Sequence, residues 1–348
     1  METLNGSRHI MIYIVTHHDF ASTVWELKRR AQRADLRFVR PISYRRLFRS
    51  LRAPVGHYIF TDFDRLSAYE VQVADVVAQS ILKEEPEARV LNRPALVLER
   101  YPLLKRLKDD GLNDFSVYRL DSNETPRRYP VFIRCEDDCR EPDTPLLNSP
   151  EELSEAVRLL TQSGISMKRR IAVELCAQRG ADGFYRKYGV FKVGDHLIPH
   201  HLHRGADWYV KRYFRDRTKD PEFEAEETRF IRDIPHAEQI NRVFAISNID
   251  FGRIDYSIVN GKVQTYEINT NPTVPPLSPN RGKNASPERR ALIRERMLKA
   301  LREIDTPMGG ASQVRFDLPT PQMQKFDPLP VRARFAGFYQ RFRLITGL

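Results

Sequence analysis

Apolar and polar positions alternate along this chain with two different periods, and the changes of period mark its elements. Apolar runs at 9–16 (HIMIYIVT), 36–41 (LRFVRP), 57–64 (HYIFTDFD) and 88–92 (ARVLN) read as strands. Helices at 21–33 and around 67–83 fall between them, and strands alternating with helices predict an open parallel sheet. Residues 91–120 read as loop, helix, glycine stop and strand. Strands follow at 129–134 and 171–178, and a strand pair over 184–204 turns at Gly194-Asp195. Ser149 and Glu152 have the spacing of a capping box and open a helix. Helical stretches cover 222–246 and 286–304.

The densest polar–apolar segregation lies at 249–276, IDFGRIDYSIVNGKVQTYEINTNPTVPP, where two β-rich runs flank Asn260-Gly261. Side chains alternate between faces, so the turn decides which residues meet. A two-residue turn would pair Val259 with Lys262 and send Asp255 and Glu267 to opposite faces. A three-residue loop, with Gly261 left-handed as a bulge, pairs Ile258 with Lys262. It gathers Arg253, Asp255, Ser257, Thr265, Glu267 and Asn269 on one face with Val263, leaving Ile254, Tyr256, Ile258, Tyr266 and Ile268 on the other. Burial of the apolar face favours this second register. Two carboxylates and an amide oxygen on one face suit a hard cation such as Mg2+. A solvated surface hairpin would carry the same residues.

Composition narrows the classes. The 348 residues allow two or three packed units, and no apolar run reaches the ~18–20 residues of a membrane span. With no export signal and only three cysteines, Cys135, Cys139 and Cys176, a reduced cytoplasmic setting is expected. Cys135 and Cys139 lack the second pair a zinc site needs. The formal charge of +11 points to anionic partners. No Gly-x-Gly-x-x-Gly follows the first strand, which removes support for a dinucleotide site.

The run GRIDYSIVNGKVQTYEINTNPTVPP resembles the metal-binding end of the ATP-grasp superfamily, in particular that of D-alanine–D-alanine ligases, where an Arg-x-Asp strand, a short hairpin and a Glu-x-Asn-x-x-Pro strand carry the site. The resemblance implies Asp255, Glu267 and Asn269 as Mg2+ ligands, and Arg253 as the catalytic contact to the reacting phosphate. It implies Arg134 at the end of its strand on the α-phosphate, Glu174 at the adenine hinge, and Arg186 and Lys187 on a phosphate-facing hairpin. That hairpin resembles the one in ribosomal-protein glutamylation ligases, with Lys187 and Gly189 standing where those carry Asp-x-Arg. The loop CEDDCREPDTPLLNS has no glycine where the superfamily covers phosphate with a glycine-rich loop. The implied reaction is ATP-dependent ligation of a carboxylate to an amine, with small-molecule or peptide substrates. The alternatives are a nucleotide-regulated or nucleic-acid-binding protein on the same fold, and phosphoryl transfer to a hydroxyl. Removing the charge of Glu267 is expected to leave stability unchanged or higher, because neighbouring carboxylates repel.

The expected fold is α/β: an N-terminal open parallel-sheet domain (1–121), then an ATP-grasp domain (122–307) with the nucleotide between two sheet-containing subdomains. A tether (308–330) and an amphipathic C-terminal helix (331–348) follow. His17 and His18 sit past the end of the first strand, where capping or surface roles outnumber catalytic ones. His201 and His203 lack a third metal ligand at a telling distance. WYVKRYFRDR (208–217) interleaves aromatics with cations, and is read as a segment over the active site with Lys211 near phosphate or substrate, in preference to a nucleic-acid surface. In the tail, Val331, Phe335, Phe338, Phe342 and Ile345 form one apolar seam opposite several arginines. Docking on its own chain or on a twin in a homodimer is favoured over contact with an anionic membrane.

Overall fold

The computed structural model describes residues 11–17, 36–122, 124–138, 140–210, 220–272, 287–308 and 313–316. The expected helices at 21–33 and 331–345, together with His18, Cys139 and Lys211, lie outside the described residues.

A parallel sheet opens the chain, as the alternation of strands and helices predicts. Strands β1 (Ile12–Thr16), β2 (Val39–Ser43), β4 (His57–Phe60) and β5 (Val90–Leu91) run in the order β2-β1-β4-β5. Helix α1 (Tyr44–Ser50), the short strand β3 (Arg52–Pro54) and helix α2 (Ala68–Glu84) connect them. Both faces of the sheet are covered, as a parallel sheet requires. Ile12 and Ile14 join the main core, while Val15 and Phe60 pack with Leu47, Phe48, Val73 and Val77 of the helices. Ser67 and Glu70 close a reciprocal capping box at the start of α2.

Helix α3 (Arg100–Asp109) leads to a second, antiparallel sheet in the order β6-β8-β7, from β6 (Val117–Arg119), β7 (Val131–Cys135) and β8 (Arg170–Glu174). Strand β6 precedes residue 122 yet hydrogen-bonds to β8. Helix α4 (Pro150–Gln162) packs Leu153 against Val131 and Ile133. Ser149 caps it as expected, accepting from Glu152 N, whereas the Glu152 carboxylate accepts from Asn148 N, one residue further back than a capping box requires. The third sheet is antiparallel, in the order β10-β9-β11-β12: β9 (Tyr185–Val193), β10 (His196–Gly205), β11 (Phe251–Val259) and β12 (Lys262–Asn269). The helical stretch at 222–246 divides into α5 (Pro221–Asp233) and α6 (Ala237–Ser247), broken where Ile234 turns left-handed. Helix α7 (Pro287–Ile304) lies over β9 and β10. Within the stretch expected as a tether, β13 (Gln313–Arg315) pairs antiparallel with β3.

Two buried side chains fasten the first sheet to the rest. Asn92, left-handed and inaccessible to solvent, donates to Phe60 O and Phe251 O and accepts from Asp250 N and Phe251 N, all at 2.7–2.9 Å. One amide thus joins the end of β4 to the start of β11. His57 accepts from Arg89 N through Nδ1 and donates through Nε2 to Thr306 O, tying the segment after α7 to β4. Burial lowers the His57 pKa, so it stays neutral in the folded state.

Replacing Asn92 by alanine removes its bonds to four backbone groups, three of them buried, and unfolding in denaturant should show a loss of about 2–4 kcal/mol. A histidine whose folded pKa is depressed stabilises fully above its unfolded value of roughly 6.5 and loses that contribution as pH falls. The stability difference between the parent and His57→Gln should therefore shrink between pH 7.5 and 5. A constant difference would rule out the neutral, buried imidazole.

Candidate active site

Asn260 and Gly261 both adopt positive φ, 50° and 75°, and form a two-residue turn with Val259 paired to Lys262. The three-residue loop expected from the sequence does not form. Two left-handed residues give the turn whose twist matches the strands, and Asn-Gly is the pair that adopts it most readily. Lys262 and Gln264 consequently share the face of Ser257, while Val263 and Thr265 lie on the other with Ile258 and Tyr256. The register then shifts by one residue between Asp255 and Tyr256, with Tyr266 the extra residue. Beyond this bulge Asp255 faces Glu267 and Arg253 faces Asn269, so the expected juxtaposition of carboxylates is reached by another route. Asn113 holds the bulged edge strand: its Oδ1 accepts from Thr265 N and its Nδ2 donates to Thr265 O, both at 2.9 Å. The Tyr266 hydroxyl donates to Cys176 O at 2.7 Å.

A cleft of roughly 890 Å3, open mouth included, separates the second and third sheets. Its lining includes the apolar side chains Phe132, Val173, Leu175 and Trp208 and a charged group, Arg100, Arg134, Lys187, Asp255 and Glu267, whose members act on one another electrostatically. Trp208 packs at a tilt against Phe132 with ring centroids 4.7 Å apart, and the Tyr209 hydroxyl donates to Arg140 O. Trp208, Tyr209 and Val210, the described part of the aromatic–cationic segment, line the cleft.

Each acid of this group has a cation beside it. Asp255 accepts from Lys187 Nζ at 3.2 Å and from Arg253 Nε at 2.8 Å. Burial opposes its ionisation, but Arg253 and Lys187 hold its carboxyl well below the usual range. Glu267 is ion-paired with Arg100; burial is again outweighed, by Arg100 and Arg134, and its pKa falls. Arg134 is lowered by burial and by the neighbouring Arg100 guanidinium. Arg100 and Arg134 also donate to the carbonyl oxygens of the glycine-free loop after β7: Arg100 to Cys135, Glu136 and Asp138, Arg134 to Cys135 and Asp138. Side-chain guanidinium groups fix this loop.

Other residues implied by the resemblance are placed less simply. Arg253 does not line the cleft; it lies beside Asp255 and orients it. Asn269 lines an adjoining cavity with Asp64, Arg65, Glu99 and Thr270, and Glu267 and Arg100 belong to both spaces. Glu174 reaches the cleft wall, but its oxygens accept from Ser116 N, Tyr118 and Arg128. Arg186 also borders the cleft, yet its guanidinium is held by Glu226 and Asp182 at 2.7–3.0 Å. His201 and His203 stack 4.0 Å apart, and among the described residues no three His, Cys, Asp or Glu side chains converge as a metal cluster. Arg100, Tyr266 and Asn113 escape sequence reasoning. The only signal for Arg100 is its place at the head of a helix, which basic residues take for many reasons.

A Mg2+ ion takes oxygen donors. Asp255, Glu267 and Asn269 carry oxygen donors at facing and next-but-one positions of adjacent strands and suit such an ion in kind, with Asp255 lining the cleft, Asn269 the adjoining cavity and Glu267 both. The Asn269 side-chain oxygen also accepts from Asn271 N at 2.8 Å.

No protein-family profile matches the sequence, and no curated protein matches it. Among solved structures, D-alanine–D-alanine ligase from Bacillus anthracis, complexed with ATP, is 10% identical, with 85% of this chain and 98% of that one covered at a TM-score of 0.48. A RimK domain ATP-grasp protein from Sphaerobacter thermophilus is 11% identical, with 86% and 100% covered at 0.46. An L-amino acid ligase from Bacillus licheniformis is 12% identical, with 76% and 67% covered at 0.38. Likenesses of this degree decide neither family nor chemistry, which is read from the side chains themselves.

The pairing reverses one expectation. Each carboxylate offsets cations more than it repels its neighbour, so Glu267→Gln leaves the Arg100 and Arg134 charges uncompensated. In nucleotide-free protein the substitution should lower stability by about 1–3 kcal/mol. A melting curve at or above that of the parent would restore carboxylate repulsion as the dominant effect.

Proposed function

We propose that this protein is an ATP-dependent ligase that activates a carboxylate as an acyl phosphate and joins it to an amine, releasing ADP and phosphate. The observation that carries the proposal is the pair Asp255 and Glu267, held face to face with Arg100, Arg134 and Lys187 beside them in a cleft that apolar side chains also line. A nucleoside triphosphate likewise combines an apolar base with a charged chain. Phe132, Leu175 and Trp208 would cover the base, and Arg100, Arg134 and Lys187 would hold the phosphates. Mg2+ bound to Asp255, Glu267 and Asn269 would supply charge neutralisation between phosphate oxygens.

Arg253 acts through Asp255 as a positioning residue. Glu174 braces the hinge strand through its three partners, and Arg186 braces the hairpin through Glu226 and Asp182. Lys211 is proposed near phosphate or substrate. The carboxylate and amine enter through the adjoining cavity, which meets the cleft at Arg100 and Glu267. A substrate carboxylate oxygen attacks the terminal phosphorus as its bond to the bridging oxygen of ADP breaks. The amine then attacks the acyl carbon, loses a proton, and phosphate leaves. Fixed cations at the transferring group need little reorganisation, and such preorganisation is the largest contribution to phosphoryl transfer.

Incubation with ATP, Mg2+ and pooled amino acids and short peptides, read by mass spectrometry, should give ADP, phosphate and a condensed product lighter than its parts by one water. Asp255→Asn and Lys187→Met should each lower ADP release by about 10^2-fold or more, whereas Arg186→Lys should act mainly on stability. A phosphorylated product would indicate transfer to a hydroxyl. ATP binding without ADP release would indicate a nucleotide-regulated binding protein.

A further inference from the structure

A cluster of arginines lies outside the cleft. Residues 36–61 contain six arginines, no lysine and no acidic residue. They build β2, α1, β3 and β4, and β13 adds Arg315. Arg37, Arg40, Arg45, Arg46, Arg52 and Arg315 are exposed, and none forms an ion pair among the described residues. None lines the cleft.

The local arrangement is unfavourable for the isolated protein. Arg52 and Arg315 face each other across the β3–β13 ladder, where like charges repel directly. Arg45 and Arg46 occupy the first turn of α1, the positive end of a helix, with no acidic residue there. Between Arg49 and Arg52 stands Leu51, 41% exposed and left-handed at φ 48° and ψ 28°. That conformation normally selects glycine or asparagine, so the position tolerates both backbone strain and an apolar side chain in water. The tip is well fixed: Phe316 N donates to Leu51 O, and the Ser50 hydroxyl donates to Leu47 O and Arg52 O.

We propose that this face binds an anionic phospholipid bilayer, with the arginines on lipid phosphates and Leu51 inserted at the interface. Arginine pairs with phosphate through a planar fork, and an apolar residue among cations is the arrangement that interfacial binding rewards. A nucleic-acid backbone would satisfy the arginines but gain nothing from an exposed leucine.

The test uses the full-length protein and flotation with vesicles of phosphatidylcholine alone or with 30% phosphatidylglycerol, at roughly physiological salt. Binding is expected only to the anionic vesicles. Each arginine near such a surface contributes roughly fivefold, so the triple variant Arg45→Gln, Arg46→Gln, Arg52→Gln should bind about 100-fold more weakly. Leu51→Asn keeps a residue suited to the left-handed backbone; it should melt at or above the parent temperature yet bind several-fold more weakly. A purely structural Leu51 would show no binding loss. Equal binding by the triple variant, or no binding by the parent, overturns the proposal. Tighter binding of a single-stranded oligonucleotide than of vesicles, unaffected by Leu51→Asn, would replace the membrane with nucleic acid.

Discussion

The pairing of Asp255 with Glu267 depends on a single inserted residue in β12. Without the bulge at Tyr266, the two-residue Asn-Gly turn would send these carboxylates to opposite faces of the sheet. With it, the two acids stand side by side among cations, and Tyr266 gains the contact to Cys176 O that joins the third sheet to the segment after β8. A bulge leaves backbone groups without strand partners, and Asn113 supplies them to Thr265 through both ends of its amide. The site geometry therefore rests on a side chain just beyond α3, far from the hairpin in sequence.

Around this register the structure balances charge locally. Asp255 is flanked by Arg253 and Lys187, Glu267 by Arg100, and both acids stay ionised despite burial because those cations are close. Arg100 and Arg134 also hold the described residues just after β7 by their carbonyls, in a segment without glycine beside the cleft. Rigid cations already in place suit a phosphate chain better than mobile ones, since less ordering is required on binding. The basic face of β2, α1 and β3 differs in kind: Arg37, Arg40, Arg45, Arg46 and Arg52 form no ion pair among the described residues.

Hydrophobic period located the elements well. The parallel sheet, the strand pair turning at Gly194-Asp195, the helix capped by Ser149 and the hairpin at Asn260-Gly261 all form near their expected places, because each is set by local spacing and by residues with strong conformational preferences. Asp255, Glu267, Lys187 and Arg134 were legible as a group through the motifs of 249–276 and of the strands before it, and the structure brings these four to one cleft.

Local signals did not fix the bulge, because burial acts on the whole sheet and the edge strand answers to Asn113, some 150 residues earlier. They did not reveal that Arg186 and Glu174 are committed to other partners, since an ion pair depends on which side chains folding brings close. Nor did they mark Arg100, whose bond to Glu267 spans 167 positions. The sequence alone determined which residues carry charge and which elements present them. Only tertiary packing decided which charges neutralise one another inside the protein and which remain available to a ligand, because the strength of each pairing is set by distance and burial.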